Sequence, residues 1–160
     1  MAFEKRIRVT VNGRAFERSV EPRLLLSDFL RETLDLTGTH VGCEHGVCGA
    51  CTLLMNGDSV RSCLTLAVQA DGAEIITVEG HGKAGEFSPA QEAFHACHAL
   101  QCGFCTPGML ATVVDALRKL PLDSEAEVRE ALAGNLCRCT GYQHIVDAVL
   151  TINTKEEGIS

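Results

Sequence analysis

Nine of the 160 residues are cysteines, in a chain with no tryptophan and a single tyrosine. Cysteine at this density points to disulfides, metal binding or redox chemistry. Disulfides fit poorly: the count is odd, and the alternating charged and apolar residues of Met1–Val11 contain neither the apolar core of an export signal nor a twin-arginine pair. Metal binding is therefore the first expectation, and the spacings decide which metal.

The first set is Cys43, Cys48 and Cys51, with Cys63 further on. A C-x4-C-x2-C…C spacing is that of plant-type [2Fe–2S] ferredoxins. Thiolates suit soft iron, and four of them complete two tetrahedral irons that share two sulfides. Gly38, Gly42, Gly46 and Gly49 lie among these cysteines and let the backbone wrap closely with its N–H groups aimed inward. Zinc is the rival, but it normally leaves C-x2-C pairs as knuckles, and here only Cys48 and Cys51 form one. The glycines do not form a phosphate loop, because no Lys-Ser/Thr follows them.

The second set is Cys102-x2-Cys105 with Cys137-x-Cys139. Each pair lies just before an expected helix, opened by Pro107 in one case and Gln143 in the other. Helix N-termini favour anions, and a tetrathiolate cluster is a net anion. Eight thiols in two groups of four leave only Cys97, which reads as a buried structural thiol. His45 could replace a ligand in Rieske fashion, and His95 with His98 could bind zinc, but ordinary surface or interface histidines are commoner. Arg138, between two cysteines, either tunes the centre through its charge or anchors a partner. Glu125, Glu127 and Glu130 read as a solvated helix face.

The elements that must carry these loops follow from patterning. Lys5–Val11 alternates as a strand, Asn12-Gly13 is a hairpin turn, and Arg14–Val20 is the returning strand. Leu24–Leu34 has helical spacing. Thr37–Cys51 is loop, Thr52–Met55 a strand, Asn56-Gly57 a second turn, Ala70-Asp71-Gly72 another, and Glu74–Glu79 a strand. Gly80–Ser88 is the linker candidate. Beyond it the texture is helical. One helix is capped by Ser88 with Pro89 and Glu92, a second runs from Pro107 to about Leu120, a third is capped by Ser124 with Glu127, and a fourth runs from Gln143 to about Ile152. The expected fold is α+β: a ferredoxin-like (β-grasp) domain over residues 1–80, then a four-helix bundle over residues 81–160. Hydrophobic residues at 46% and charged residues at 22% exclude a disordered chain. A net charge of −7 with neither half basic disfavours nucleic acid, and no apolar run is long enough to span a membrane.

The motifs Q-C-G-F-C-T-P-G-M at Gln101–Met109, G-N-L-C-R-C-T-G-Y at Gly134–Tyr142, G-C-E-H-G-V-C-G-A-C-T at Gly42–Thr52 and R-S-C-L at Arg61–Leu64 resemble the cluster motifs of the molybdenum hydroxylase (xanthine oxidase) family. The resemblance runs from about Ile7 to Ile152. It implies an electron-transfer subunit with two [2Fe–2S] clusters and no bond-making residue of its own. Cys102, Cys105, Cys137 and Cys139 would hold the cluster nearer the pterin, and Cys43, Cys48, Cys51 and Cys63 the distal one. Gln101 and Cys139 match positions that lie against the pterin, and Glu44–Val47 is expected to face the flavin. The chain ends after the fourth helix, like the separate small subunit of a three-subunit enzyme. The implied partners are a large subunit with molybdopterin, often as the cytosine dinucleotide, and a medium subunit with FAD, assembled as a dimer of heterotrimers. The implied reaction hydroxylates substrate with oxygen from water, and single electrons then pass from molybdenum through both clusters to FAD. An organic N-heterocyclic or aldehyde-like substrate is expected, with carbon monoxide as the alternative and a free-standing two-cluster carrier as the rival. The absence of an export signal implies a cytoplasmic location.

Overall fold

The computed structural model describes residues 3–83 and 85–157. The N-terminal half is a mixed sheet of five strands among the described residues: β1 (Lys5–Val11), β2 (Arg14–Val20), β3 (Thr52–Met55), β4 (Asp58–Arg61) and β5 (Glu74–Ile76). Their order is β2-β1-β5-β3-β4. Both hairpin turns form as the sequence predicts. Asn12 and Gly13 take φ of 50° and 77°, and Asn56 and Gly57 take 53° and 90°, the left-handed pair that matches strand twist. β5 returns parallel to β1 and antiparallel to β3. The alternation along β1 puts Ile7, Val9 and Val11 on one buried face, each 1% exposed.

Two elements differ from the pattern in the sequence. The helix expected over Leu24–Leu34 is a short α1 (Leu26–Asp28) that runs into a π-turn over Phe29–Thr33. Leu26, Phe29 and Leu30, at i, i+3 and i+4, are all fully buried on the sheet. The strand expected over Glu74–Glu79 stops at Ile76. Asn12, in the first hairpin turn, takes the Thr77 N–H at 2.9 Å and donates to the Thr77 hydroxyl at 2.9 Å. Side-chain bonds thereby replace the strand ladder.

The second half holds α2 (Pro89–Ala96), α3 (Thr106–Lys119), α4 (Glu125–Ala131) and α5 (Gln143–Glu157). Ser88 and Ser124 are the N-caps expected, with Glu127 closing the second capping box. The first box is closed by Gln91 and not Glu92, because position N3 alone lets the side chain reach back to the cap N–H. Phe94, Met109, Leu110, Val113, Val128 and Ile145 belong to the core these helices share. It is separate from the sheet core around Ile7, Phe29 and Leu53.

The two cores meet through α3, whose first turn lies on the loop leading into β3. A Cβ at Gly108 would collide with the carbonyl oxygen of Gly49 and come within 3.0 Å of that of Ala50. The other end of α3 is clamped to the β3–β4 hairpin. Buried Asp115 accepts from the Ser59 N–H at 3.1 Å and pairs with Arg118 and Lys119 at 3.0 and 2.8 Å. Lys119 also reaches Asp58 at 2.7 Å, and Arg118 donates to the Gly57 carbonyl.

Two outcomes follow. Gly108→Ala is expected to lose about 1–3 kcal/mol by overpacking, read as a lower melting temperature; an unchanged melt would show that α3 does not need this approach. Burial opposes ionisation of Asp115, but the bonds from Lys119, Ser59 and Arg118 outweigh it and hold the carboxyl down at about 2. A folded value below the unfolded one makes its contribution complete above about pH 4 and lost as pH falls toward 2. The stability gap between the wild-type protein and Asp115→Asn, measured by urea unfolding, should therefore be widest near neutrality and narrow below about pH 4.

Candidate metal centres

The eight motif cysteines come together as two quartets. In the first, the long loop before β3 carries Cys43, Cys48 and Cys51, with left-handed turns at Glu44, Gly46 and Gly49. The β3–β4 hairpin delivers the fourth. Thr52 pairs with Arg61 in the ladder, so Cys51 and Cys63 flank the same end of the hairpin. The Ser62 hydroxyl donates to the Cys51 carbonyl at 2.8 Å and fixes that end. The short gap between Cys51 and Cys63 is thus one tight hairpin.

In the second quartet, Cys105 is the N-cap of α3, with Cys102 on the turn before it. Cys137 and Cys139 lie on the loop between α4 and α5. The Thr140 hydroxyl is 3.1 Å from the Cys137 sulfur. The Tyr142 hydroxyl accepts from the Cys137 N–H at 2.9 Å and donates to the Asn135 carbonyl at 3.2 Å. The Gln101 amide donates to the Cys139 carbonyl at 3.1 Å.

Within each quartet the thiols lie two by two. The Cys43 side chain neighbours that of Cys48, and the Cys63 side chain neighbours that of Cys51. The sulfurs of Cys102 and Cys139 are 3.5 Å apart, and the Cys105 side chain neighbours that of Cys137. Among the described residues no three ligating side chains converge on a single ion position. A two-metal centre calls for thiols set in pairs, two protein thiolates to each metal, whereas one tetrahedral zinc calls for four around a single point.

The environments of the thiols are graded from outside to inside. The Cys48 N–H, 3.4 Å from the Cys43 sulfur, and then the His45 N–H lower that thiol to about 6. The Phe104 N–H and the Cys139 thiol lower Cys102. Burial, followed by the neighbouring Cys51, raises Cys63 to about 11. Burial, followed by Cys137, raises Cys105 to about 12. For Cys137 burial acts upward, but the Thr140 bonds outweigh it and lower the thiol. Each quartet therefore sets a thiol lowered by hydrogen bonds, Cys43 or Cys102, beside a more deeply placed one raised by burial, Cys63 or Cys105.

Of the remaining sequence candidates, Cys97, His95 and His98 lie on or beside α2, while His45 and Arg138 stand within the cysteine loops. Cys97 is half-buried at the end of α2 and packs against the helical core. His95 and His98 are exposed, His95 beside Phe87 with ring centroids 5.8 Å apart. The His45 ring nitrogen contacts the Cys43 carbonyl, and Arg138 is exposed between its two cysteines. Three residues that sequence reasoning passed over join the quartets. Phe104 stacks on His40 with centroids 4.9 Å apart. Arg61 donates to the Gly134 carbonyl at 2.6 Å. Asn135 is buried between the two ligand loops. Arg61 and Asn135 stand inside the cysteine motifs, so position beside a ligand was the available signal.

Two family models cover the chain. One described as a 2Fe-2S iron-sulfur cluster binding domain matches residues 9–76, and one described as a [2Fe-2S] binding domain matches residues 77–150. Caffeine dehydrogenase subunit gamma of Pseudomonas sp. (strain CBB1) is 55% identical over 154 residues, 94% of this chain and 92% of that protein. The nicotine 6-hydroxylase small subunit of Paenarthrobacter nicotinovorans is 58% identical over 144 residues, 90% and 87% of the two chains. The chain belongs to the small iron–sulfur subunits of the molybdenum hydroxylases. Its fold matches a chain of quinoline 2-oxidoreductase from Pseudomonas putida 86 with a TM-score of 0.91, at 51% identity and 98% coverage of both chains. As a member of this family it is a non-catalytic electron-transfer subunit of an oxidoreductase. A ferredoxin-like sheet region precedes a helical region, as the family requires. No helix among the described residues is long and apolar enough to cross a membrane.

Tyr142 gives the iron–sulfur subunit a direct test of how the second ligand loop is held. Tyr142→Phe removes the acceptor for the Cys137 N–H and the donor to Asn135. It is expected to cost about 1–2 kcal/mol, or about 2–8 °C in melting temperature for a chain of this size; a melt within 1 °C of wild type, on the order of experimental error, would show that the hydroxyl is dispensable.

Proposed function

We propose that Cys43, Cys48, Cys51 and Cys63 hold one [2Fe–2S] cluster, and that Cys102, Cys105, Cys137 and Cys139 hold a second. The observation that carries this reading is the two-by-two pairing of thiols in both quartets. When bound, each cluster supplies a one-electron redox centre. The protein's own part is to hold four thiolates around each centre, donate backbone N–H groups to their sulfurs, and keep the buried half of each quartet away from water.

The proposal extends to orientation. Cys102 and Cys139 are exposed, as is Gln101, which is bonded to the Cys139 backbone. This face suits the large subunit, with Gln101 and Cys139 against its molybdopterin, expected as the cytosine dinucleotide. At the other quartet, Val47 and Leu64 are 57% and 61% exposed beside the Glu44–Val47 loop, a rim suited to the medium FAD subunit. Apolar side chains exposed at both centres support an obligate subunit over a free-standing carrier. We further read residues 1–80 and 81–160 as two domains, the second a four-helix bundle, in a dimer of heterotrimers. Nine cysteines, eight of them used as ligands, fit a reducing compartment and hence the cytoplasm. The names of the relatives, which act on caffeine and nicotine, support an N-heterocyclic substrate.

The test is the complex co-expressed with its large and medium subunits. About four iron per copy of this chain and two distinct [2Fe–2S] EPR signals are expected on reduction. Cys51→Ser should remove one signal and Cys102→Ser the other, the latter also stopping flavin reduction by N-heterocycles. A single signal in the wild-type protein, or zinc in the second quartet, would overturn the ligand assignment; carbon monoxide as the sole reductant would overturn the substrate.

A further inference from the structure

Asn135 stands two residues before Cys137, yet its side chain points into the other half of the molecule. It is 1% exposed. Its Nδ2 donates to the carbonyl of Gly49 at 3.1 Å and lies 3.5 Å from the Thr52 hydroxyl. Its Oδ1 faces the Thr112 hydroxyl of α3 at 2.9 Å. Its backbone carbonyl takes the Tyr142 hydroxyl, which also receives the Cys137 N–H. The flanking residues bind the same loop: Arg61 donates to the Gly134 carbonyl at 2.6 Å, and the Leu136 N–H donates to the Cys48 carbonyl at 2.8 Å. Thr52 closes the network by donating to the Gly49 carbonyl at 2.6 Å.

One buried amide thus contacts Gly49, between two cysteines of the first quartet, and shares a backbone with Cys137 of the second. The loops touch so closely that a Cβ at Gly49 would lie 2.5 Å from the Gly134 carbonyl. A fully bonded buried polar network is rigid and holds a single arrangement. Plain packing of two halves would need no amide here, since apolar residues of similar volume fill such gaps without the cost of burying polar atoms.

We propose that Asn135 is a positioning residue for both metal centres: it locks the two ligand loops into one unit, so that the surroundings of both clusters are set together. This rests on the ligand assignment proposed above. Loss of the amide should therefore be felt at the first centre, across the interface, as well as at the second, which is its own neighbour in sequence.

The experiment uses the co-expressed complex, with each EPR signal assigned by Cys51→Ser and Cys102→Ser. Asn135→Asp keeps the shape but turns a carboxylate oxygen toward the Gly49 carbonyl. Both EPR signals should change in g values or linewidth, both midpoint potentials should move, and iron release to a chelator should speed up by roughly tenfold or more at both centres. Val128→Ala, in the helical core, should lower the melting temperature and leave both signals unmoved. A change confined to the second signal, or a lower melting temperature with both signals intact, overturns the proposal. If Asn135→Asp does not accumulate, Thr112→Val decides it: smaller shifts at both centres support the coupling, and none overturns it. Failure of wild-type protein to show two assignable [2Fe–2S] signals would instead defeat the underlying ligand assignment.

Discussion

The structure depends on one close backbone approach. The first turn of α3 and the Gly134–Leu136 segment both press against the loop that carries Cys48, Gly49 and Ala50. Main chain meets main chain here, so Gly108 and Gly49 have no room for a side chain, and the exposed polar groups must find partners across the contact. They do: Leu136 bonds Cys48, and Asn135 bonds Gly49. A loosely packed interface would let each half hold its thiols independently. This one makes the ligand loops neighbours of each other as much as of their own halves of the chain.

The two centres are built by different means toward a similar end. In the sheet half, a hairpin register brings Cys63 to Cys51. In the helical half, the N-terminus of α3 supplies one pair, and the loop between α4 and α5 supplies the other. In each half one pair of thiols is set deeper than the other: Cys51 and Cys63 are buried behind half-buried Cys43 and Cys48, and Cys105 and Cys137 are half-buried behind exposed Cys102 and Cys139. Cys105 and Cys137 pack against the helical core.

Much of the fold was legible in the residues because the signals are local. Asn-Gly marks both hairpin turns, alternation marks β1, and Ser caps with Pro or Glu mark the helices. One difference arose where a distant residue intervened. The strand after Ala73 ends early because Asn12, more than sixty positions away, takes over Thr77. The helix after Leu24 widens into a π-turn, while Leu26, Phe29 and Leu30, at i, i+3 and i+4, lie on the sheet as in an ordinary helix. Asn12 as the partner of Thr77 is not visible in a local window.

The sequence by itself determined the chemistry: eight thiols in two groups, their spacing, and the helices and turns beside them. Short loops must present neighbouring ligands, so spacing is written into the chain. Only the tertiary structure decided which thiols pair, how deeply each is set, and that Asn135, Arg61 and Gly108 join the two halves. Those contacts are made between segments far apart in the chain. A glycine or an asparagine carries no periodicity that names its partner, and its reason appears only when the opposing carbonyl is in place.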